Sequence, residues 1–254
     1  MLLSAATAAP SAAPPAPKRK GERTREAVLD AALAMAGTDG LEGLTIGVLA
    51  ARLGMSKSGL IAHFGTREAL QLAVLQRYAD RFVDEVLRPA LPAPRGLPRL
   101  RRILDGWLAQ LVRELEGGCL MIAGAIEYDT RPGPLRDAVV RIIEGWKAEI
   151  RRALQHAKAE GQLRSGFDSG QFVFEVYGLM LMLHQDARLA RSPASVQHAR
   201  AGLARLLADA AAEPLPSRRP RRASAPAPEP ASRIRSERAH EPERGAPRDR
   251  RTRS

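Results

Sequence analysis

The stretch that decides the fold is residues 44–70, LTIGVLAARLGMSKSGLIAHFGTREAL. Its first apolar residues recur at spacings of three and four, the pattern of one buried helical face: Ile46, Leu49, Ala50 and Leu53. Thr45 precedes them as a helix N-cap, and Gly54 follows where a helix commonly ends in the left-handed conformation. The pattern predicts a short helix over 46–53 and a tight turn directly after it.

A second short helix is predicted over 57–64, with Ser56 as its N-cap. Leu60 and Phe64 lie four residues apart and are expected to face inward. The other positions face outward, and most carry small or polar side chains: Lys57, Ser58, Gly59, Ile61 and His63. Two short helices joined by a tight turn are the plan of a helix-turn-helix, whose second helix fits the major groove of DNA.

The outward residues are unusual for a helix that serves only to fold. Ser58 and Gly59 carry little bulk, so the backbone can approach a partner closely. Lys57 and Arg67 stand at the N-terminal ends of two successive helices, where the helix dipole favours anions instead. A bound phosphate would satisfy both the helix ends and the cations. DNA binding is therefore favoured over the alternative, a three-helix corner with solvated charges.

Residues 24–75 resemble the DNA-binding region of the tetracycline-repressor (TetR) family of bacterial transcription regulators. The resemblance rests on a first helix, a Gly-containing loop ending at Gly40, a Thr opening the second helix, Gly54, the pair Ser56-Lys57, and an aromatic before the next cap. The recognition helix of the family commonly carries aromatic residues where this chain has Ile61 and His63. These departures predict an operator that differs from those of other members.

The resemblance implies two sets of DNA contacts. Thr45, His63 and Arg67 match the positions that contact phosphates, which place the protein on the duplex. The groove-facing positions are matched by four residues: Lys57, Ser58, Gly59 and Ile61. Lys57 could donate to guanine, and Ile61 could pack on a thymine methyl group. With the helix cap Ser56, these residues form the predicted DNA-binding set.

The net charge of the 254-residue chain is +12, which is typical of a protein with a polyanionic partner. Residues 1–20 contribute +3, and residues 213–254 contribute +6 from twelve Arg and six acidic residues, which leaves +3 for residues 21–212. Most of the excess therefore lies in the two tails. Sequence-specific binding must depend on the helix-turn-helix, because the rest of the folded part is only mildly basic.

Several classes of protein are disfavoured by the composition. The chain has one cysteine, Cys119, so no intrachain disulfide can form, as expected in a reducing cytosol. No apolar run is long enough to span a membrane, and the N-terminus makes a poor signal peptide, so we expect a cytoplasmic protein without a membrane partner. No phosphate-binding Gly loop, metal-spaced His/Cys cluster or G-x-S-x-G motif is present. We therefore predict no enzymatic activity, no cofactor and no metal.

The rest of the chain predicts further helices and no strands, so the predicted fold class is all-α. A first helix over 25–36 and a longer one over 66–87 complete a DNA-binding domain at 21–86, with its motif at 44–63. Prolines 89, 92, 94 and 98 break the chain at 88–98. A second domain at 98–212 holds five predicted helices: 98–115, 119–128, 134–160, 168–191 and 193–211. In it, Asp168 with Gln171 forms a capping-box pattern, and Ser192 is the predicted cap of the last helix.

The Ala/Pro-rich residues 1–20 and the Arg/Pro-rich residues 213–254 are predicted to be disordered tails. The C-terminal tail has two interpretations that the sequence leaves open. It is either an arm that adds non-specific phosphate contacts or an extension that only increases solubility.

The resemblance implies that the last two long helices pair with their copies in a homodimer. The predicted interface residues are Phe172, Val176, Leu179, Leu183, Leu203 and Leu206. The helix over 168–191 is apolar on nearly two sides, with Phe174 and Leu181 also apolar, and such a helix needs cover from more than its own domain.

A pocket for a small apolar or amphipathic effector is expected among the helices of the second domain. The candidate lining residues are Trp107, Met121, Glu127, Tyr128, Trp146, Tyr177 and Met180. Glu127 is the best candidate for a polar anchor, because it ends a helix just before a Pro-Gly loop. Trp146 lies in an apolar stripe and is also consistent with a plain core residue.

The sequence thus predicts a DNA-binding regulator, and the resemblance implies a repressor that binds a palindromic operator as a homodimer and is released by a small molecule. Two alternatives remain from other classes: a ligand-binding module without a specific DNA target, and a basic architectural DNA-binding protein.

Overall fold

Residues 20–212 are described by a computed structural model, in which nine α-helices make up nearly all of the regular structure. Their bounds are α1 Lys20–Gly43, α2 Ile46–Leu53, α3 Lys57–Phe64, α4 Arg67–Phe82, α5 Leu97–Arg113, α6 Leu120–Glu127, α7 Pro134–Ala159, α8 Ser169–Arg188 and α9 Ser195–Ala210. Extended pairing within the described residues is limited to one isolated bridge between Leu163 and Ala211. The all-α prediction is confirmed, while both predicted disordered tails lie almost entirely outside the described residues.

Local caps hold α2, α3 and α4 where the sequence predicts them. The hydroxyl oxygens of Thr45, Ser56 and Thr66 each accept a backbone N–H from three residues further along the chain, at 3.2, 3.0 and 3.1 Å. Gly54 has φ 63°, the left-handed conformation that ends α2. Each contact closes within four residues, so neighbouring residues set the ends of these helices.

The first helix is longer than the sequence predicts. The expected loop before α2 is instead a sharp break within α1 at Gly40, where φ is 74°. A β-carbon at Gly40 would lie 2.2 Å from a carboxylate oxygen of Glu127, which is far too close. Both the backbone angle and the contact with α6 therefore require glycine.

The fourth helix ends earlier than the predicted 66–87. A π-helical turn, Val83–Leu87, and a 3₁₀ turn, Arg88–Ala90, follow α4. The prolines that were expected to break the chain occupy the stretch between α4 and α5, and Pro98 lies in the first turn of α5, where its missing N–H has no cost.

The capping pattern predicted for α8 forms only in part, and the cap predicted for α9 does not form. Asp168 caps α8 as predicted, but the Gln171 amide donates to Glu175 at 2.8 Å instead of returning to the cap. The prediction that Ser192 caps α9 is wrong, since that helix begins at Ser195. Arg191 has φ 51°, and this turn directs the chain into an extra bend before α9.

The helix-turn-helix is joined to the second half of the chain through α1 and α4. The long α1 contacts both α4 and α6, and α4 also contacts α7. At the other end of the chain, α8 packs along α9, where Gly202 is buried and a β-carbon on it would lie 2.8 Å from Leu179. This close approach aligns α8 and α9 side by side and leaves their outer faces together.

Candidate DNA-binding surface and effector cavity

The recognition helix α3 is anchored by two side chains and exposes the rest. Leu60 and Phe64 are buried beneath it, and the guanidinium of Arg25 on α1 lies 5.0 Å from the centre of the Phe64 ring. Ile61 is a large apolar side chain and is 51% exposed. Lys57 and Ser58 are exposed as well, whereas Gly59 and His63 are half-buried. The geometry therefore presents Lys57, Ser58 and Ile61 outward on the predicted groove-facing side.

Lys57 extends across the start of α2. A β-carbon built on Gly47 would lie 3.3 Å from Cε of Lys57 and 3.6 Å from its Nζ. Because glycine occupies position 47, the lysine stem can lie against the backbone of α2 while its ammonium group stays at the surface. The ammonium is thus held near the N-terminal end of α2, capped by Thr45, and the N-terminal end of α3, capped by Ser56.

Arg67 is more tightly engaged than the sequence suggests. Its Nε donates to the carbonyl of Leu44 at 3.1 Å, and its Nη2 donates to the carbonyl of Glu42 and to the Glu42 carboxylate, the latter at 3.0 Å. These contacts hold the end of α1 and the following Leu44 against the start of α4. The phosphate contact stays a prediction: the Nε and Nη2 groups of Arg67 are paired within the chain, and its side chain is 41% exposed.

Glu127 and Tyr128, two predicted effector contacts, lie at the same loop. The Glu127 carboxylate accepts the backbone N–H groups of Leu41 at 2.9 Å and Glu42 at 3.3 Å. The hydroxyl of Tyr128 donates to Glu42 at 2.7 Å. The expectation of a polar ligand anchor at Glu127 is corrected by these bonds: its carboxylate satisfies N–H groups exposed where α1 breaks at Gly40.

The hydrogen bond from Tyr128, followed by the ion pair with Arg67, lowers the pKa of the Glu42 carboxyl below its ordinary value. The side chain of Arg131 adds a cation 3.7 Å from the same carboxylate. A cluster of charges therefore joins the end of α6 to the helix-turn-helix.

An apolar cavity of about 230 Å³ lies between α5, α6, α7 and α8. Five of the seven predicted pocket residues line it: Trp107, Met121, Trp146, Tyr177 and Met180. Its aromatic wall is packed from behind, since Phe82 stacks on Trp146 with ring centres 4.0 Å apart. Trp107 meets Tyr177 edge-on at 4.8 Å. This arrangement fixes the shape of the wall and gives the cavity a rigid apolar surface.

The polar groups around the cavity are almost all paired. Tyr177 donates to the carbonyl of Ile143 at 3.4 Å, and the ammonium of Lys147 pairs with Glu144 at 2.7 Å. The Sγ of Cys119 lies 3.3 Å from the Tyr78 hydroxyl, which donates to Glu114 at 2.8 Å. Burial raises the pKa of the Cys119 thiol to about 12, and the nearby Glu114 carboxylate adds to the shift, so the sulfur stays protonated.

Sequence reasoning missed part of the lining, above all Ile143, Lys147, Ile122, Ala125 and Leu181. Helical spacing was the signal that could have found them. Ile143 and Lys147 flank Trp146 on one face of α7, and Leu181 lies four residues after Tyr177 on α8.

The predicted dimer residues are mostly buried within their own chain. Phe172, Val176, Leu183 and Leu203 belong to the core, and only Leu179 and Leu206 are half exposed. The prediction is corrected because α8 is apolar on two sides and the structure places Phe172, Val176 and Leu183 on the inner one, while Leu203 lies on the buried side of α9. The outer side carries Phe174, which is 74% exposed, with Leu181 and Met182.

Between residues 20 and 212 there is no helix of sufficient length and apolarity to cross a membrane. The same part of the chain contains no group of three or more His, Cys, Asp or Glu side chains placed to hold a metal ion.

Comparison with solved structures finds the same fold in many regulators. A TetR transcriptional regulator from Chloroflexus aurantiacus is 29% identical, with a TM-score of 0.68 over 76% of this chain and 98% of its own. A transcriptional regulator from Saccharomonospora viridis, described in complex with choline, is 19% identical, with a TM-score of 0.65 over 76% of this chain and 100% of its own. AibR, described in complex with isovaleryl coenzyme A and operator DNA, is 21% identical, with a TM-score of 0.58 over 73% of this chain and 98% of its own.

Comparison with protein families is more specific. No curated protein matches the chain significantly. Residues 28–74 match the family "Bacterial regulatory proteins, tetR family", and residues 96–203 match "Tetracyclin repressor-like, C-terminal domain". The two matches cover both the helix-turn-helix and the helices around the cavity. The chain belongs to the TetR family of DNA-binding transcriptional regulators.

Proposed function

We propose that this regulator is a repressor that binds a palindromic operator as a homodimer in the cytoplasm and is released when a small apolar effector enters the cavity. The observation that carries the proposal is the position of α6. Its residues Met121, Ile122 and Ala125 line the cavity, while Glu127 at its end holds the last residues of α1, after the break at Gly40. One short helix thus touches both the proposed effector and the DNA-binding unit.

The position of α6 supports a simple route from ligand to DNA. An effector that enlarges the cavity pushes on α6 and displaces Glu127 and Tyr128, which support Leu41 and Glu42. Because α1 contacts α6 and leads directly into α2, the helix-turn-helix shifts with them. The effector lowers DNA affinity only as far as it binds the shifted form more tightly than the DNA-bound form.

The DNA contacts proposed for α3 follow from its exposed side. We assign base or groove contacts to Lys57, Ser58, Gly59 and Ile61, and phosphate contacts to Thr45 and His63. Arg67 acts mainly as a positioning residue, since its guanidinium is held by Glu42 and by the carbonyl of Leu44.

The occupant proposed for the outer face of α8 and α9 is a second copy of this chain. Phe174 and Met182 on α8 are exposed, and Leu179 and Leu206 border a shallow groove between the two helices. A protein rarely leaves so many large apolar side chains in water on one face without a partner. A two-fold dimer would present two recognition helices and would favour a palindromic site.

Fluorescence anisotropy with the intergenic DNA beside the gene tests the proposal. Specific binding should survive an excess of random DNA and saturate at two chains per palindromic site. Equal competition by random DNA would instead favour an architectural protein, and absence of binding would favour a ligand-binding module.

A further inference from the structure

Leu181 on α8 lies on two surfaces of the molecule. Its side chain lines the cavity between α5, α6, α7 and α8, and it is also 48% exposed to water. The opposite wall is closed, since Trp107 and Leu111 on α5 and Met121 on α6 are buried. Of the residues that line the cavity, Leu181 is the most exposed. The cavity is therefore least covered on its α8 side.

This side of the cavity continues into the outer face of α8. Phe174, Tyr177 and Leu181 are spaced by three and four residues, so they lie along one stripe of the helix. Tyr177 and Leu181 line the cavity, whereas Phe174 is 74% exposed. Leu181 follows Phe174 by seven residues, which is about 10 Å along the helix axis. A partner that covers Phe174 therefore lies next to the open side of the cavity.

The groove beside this stripe favours a second copy of the chain as that partner. It is bordered by the apolar Leu179 and Leu206 and by side chains of both charge signs, Arg205 and Asp209. A two-fold axis brings such a face against itself, so each copy supplies counter-charges to the other. A stable interface covers about 800 Å² on each partner, a patch roughly 28 Å across, which exceeds the distance from Phe174 to Leu181.

We infer that the effector cavity is completed by the second copy of the chain, whose docked surface covers Leu181 and closes the α8 side. The inference rests on the homodimer of the proposed function and adds that ligand binding and dimerisation are linked. A ligand in the closed cavity is removed from water on one more side, so it binds the dimer more tightly than the monomer. By reciprocity, the ligand strengthens the dimer by the same factor for each of its two sites.

Leu181→Cys measures the cover directly, because Cys119, the one cysteine of the chain, is buried. The uncharged reagent iodoacetamide should alkylate the new thiol slowly in the dimer and at least about tenfold faster in a Phe174→Glu background. Dilution of Leu181→Cys below its dimer dissociation constant should have the same effect, which keeps the test valid if Phe174→Glu does not fold. Val48→Cys on α2, at a position that is 50% exposed, is the matched control and should react equally fast in both states.

Toluene is the probe for the second measurement, because the cavity of about 230 Å³ exceeds the roughly 150 Å³ of one that holds benzene. In calorimetric titrations, toluene should bind the Phe174→Glu monomer at least about threefold more weakly than the dimer, since more of the ligand stays in water. At saturation it should lower the dissociation constant of the wild-type dimer about ninefold, the product of two sites, in analytical ultracentrifugation.

The inference is overturned if Leu181→Cys in the dimer reacts as fast as Val48→Cys, or if toluene binds monomer and dimer equally or binds neither. A Phe174→Glu protein that stays a dimer also overturns it, because the interface then lies away from the outer face of α8. A wild-type protein that forms no dimer rejects the homodimer of the proposed function, and the inference with it. A protected thiol in a dimer that does not recognise operator DNA rejects the repressor function and leaves the inference standing.

Discussion

Glu127 on α6 accepts the backbone N–H of Leu41 at 2.9 Å, across 86 positions of sequence. The bond joins α6, which borders the cavity, to the end of α1, which leads directly into the helix-turn-helix. Replacing Glu127 by Ala removes this bond and the weaker one to Glu42, and we expect a loss of about 1–3 kcal/mol in the free energy of unfolding. Hydrogen exchange at the amides of residues 41 and 42 should accelerate, and Glu127→Gln, which keeps one acceptor, should lie between. If hydrogen exchange at residues 41 and 42 were unchanged in both variants, the proposed link between α6 and the helix-turn-helix would be wrong.

Lys57 is the exposed cation of the recognition helix, so Lys57→Ala should weaken operator binding at least about fivefold. Its thermal stability should stay within about 0.5 kcal/mol of the wild type, because the side chain lies at the surface. Lys158→Ala makes the same charge change on an exposed position of α7 and serves as the control in anisotropy titrations. Equal losses for the two variants would mean that only net charge matters.

Phe174 projects from the outer face of α8, where we propose that the second chain docks. A charge buried there without a partner is costly, so Phe174→Glu should convert the dimer to a monomer in light scattering after size exclusion. Val140→Glu on α7, which is 45% exposed, is the matched control and should leave the mass unchanged. If the Phe174→Glu protein remained a dimer, the interface would not include the outer face of α8.

Glu42 makes stability depend on pH in a defined direction. Its folded pKa is lowered by Tyr128 and Arg67, so the ionised carboxylate stabilises the fold above the ordinary carboxyl pKa, and this contribution is lost as the pH falls through the lower folded value. Glu42→Gln should therefore be less stable than the wild type at pH 7, and the gap should narrow below about pH 4.5. Denaturation at a series of pH values checks this. Tyr128→Phe removes the main cause of the lowered pKa of Glu42. The free energy of unfolding of this variant should therefore fall less in acid than that of the wild type.

Cys119 should be chemically inert in the folded protein. Its thiol is buried and its pKa is raised to about 12, so almost no reactive thiolate exists at pH 8. Ellman's reagent should titrate no thiol in the native protein and one per chain after unfolding, since Cys119 is the only cysteine. Rapid labelling of the native protein would contradict the packing of Tyr78 against Cys119.

The helix-turn-helix could be predicted from its residues because its signals are local. The hydroxyls of Thr45, Ser56 and Thr66 reach N–H groups three residues away, and Gly54 needs only its own backbone angle to end α2. Helical periodicity likewise predicted most of the later helices to within a few residues. The helix predicted over 193–211 is observed as Ser195–Ala210, and only its predicted cap at Ser192 was wrong, because the turn at Arg191 moves the start of the helix.

Tertiary structure alone decided which apolar face of α8 is buried and what each polar side chain contacts. Phe172 and Phe174 are two residues apart and equally apolar, yet one is 3% exposed and the other 74%, because only the packing of α8 against α7 and α9 separates its two sides. The sequence places Glu127 at the end of a helix, and so does the structure. Its partners at Leu41 and Glu42 became visible only when the chain folded back 86 positions to bring α6 beside the break in α1. Helical periodicity indicates which residues share one face of a helix, whereas the three-dimensional packing decides which partner that face contacts.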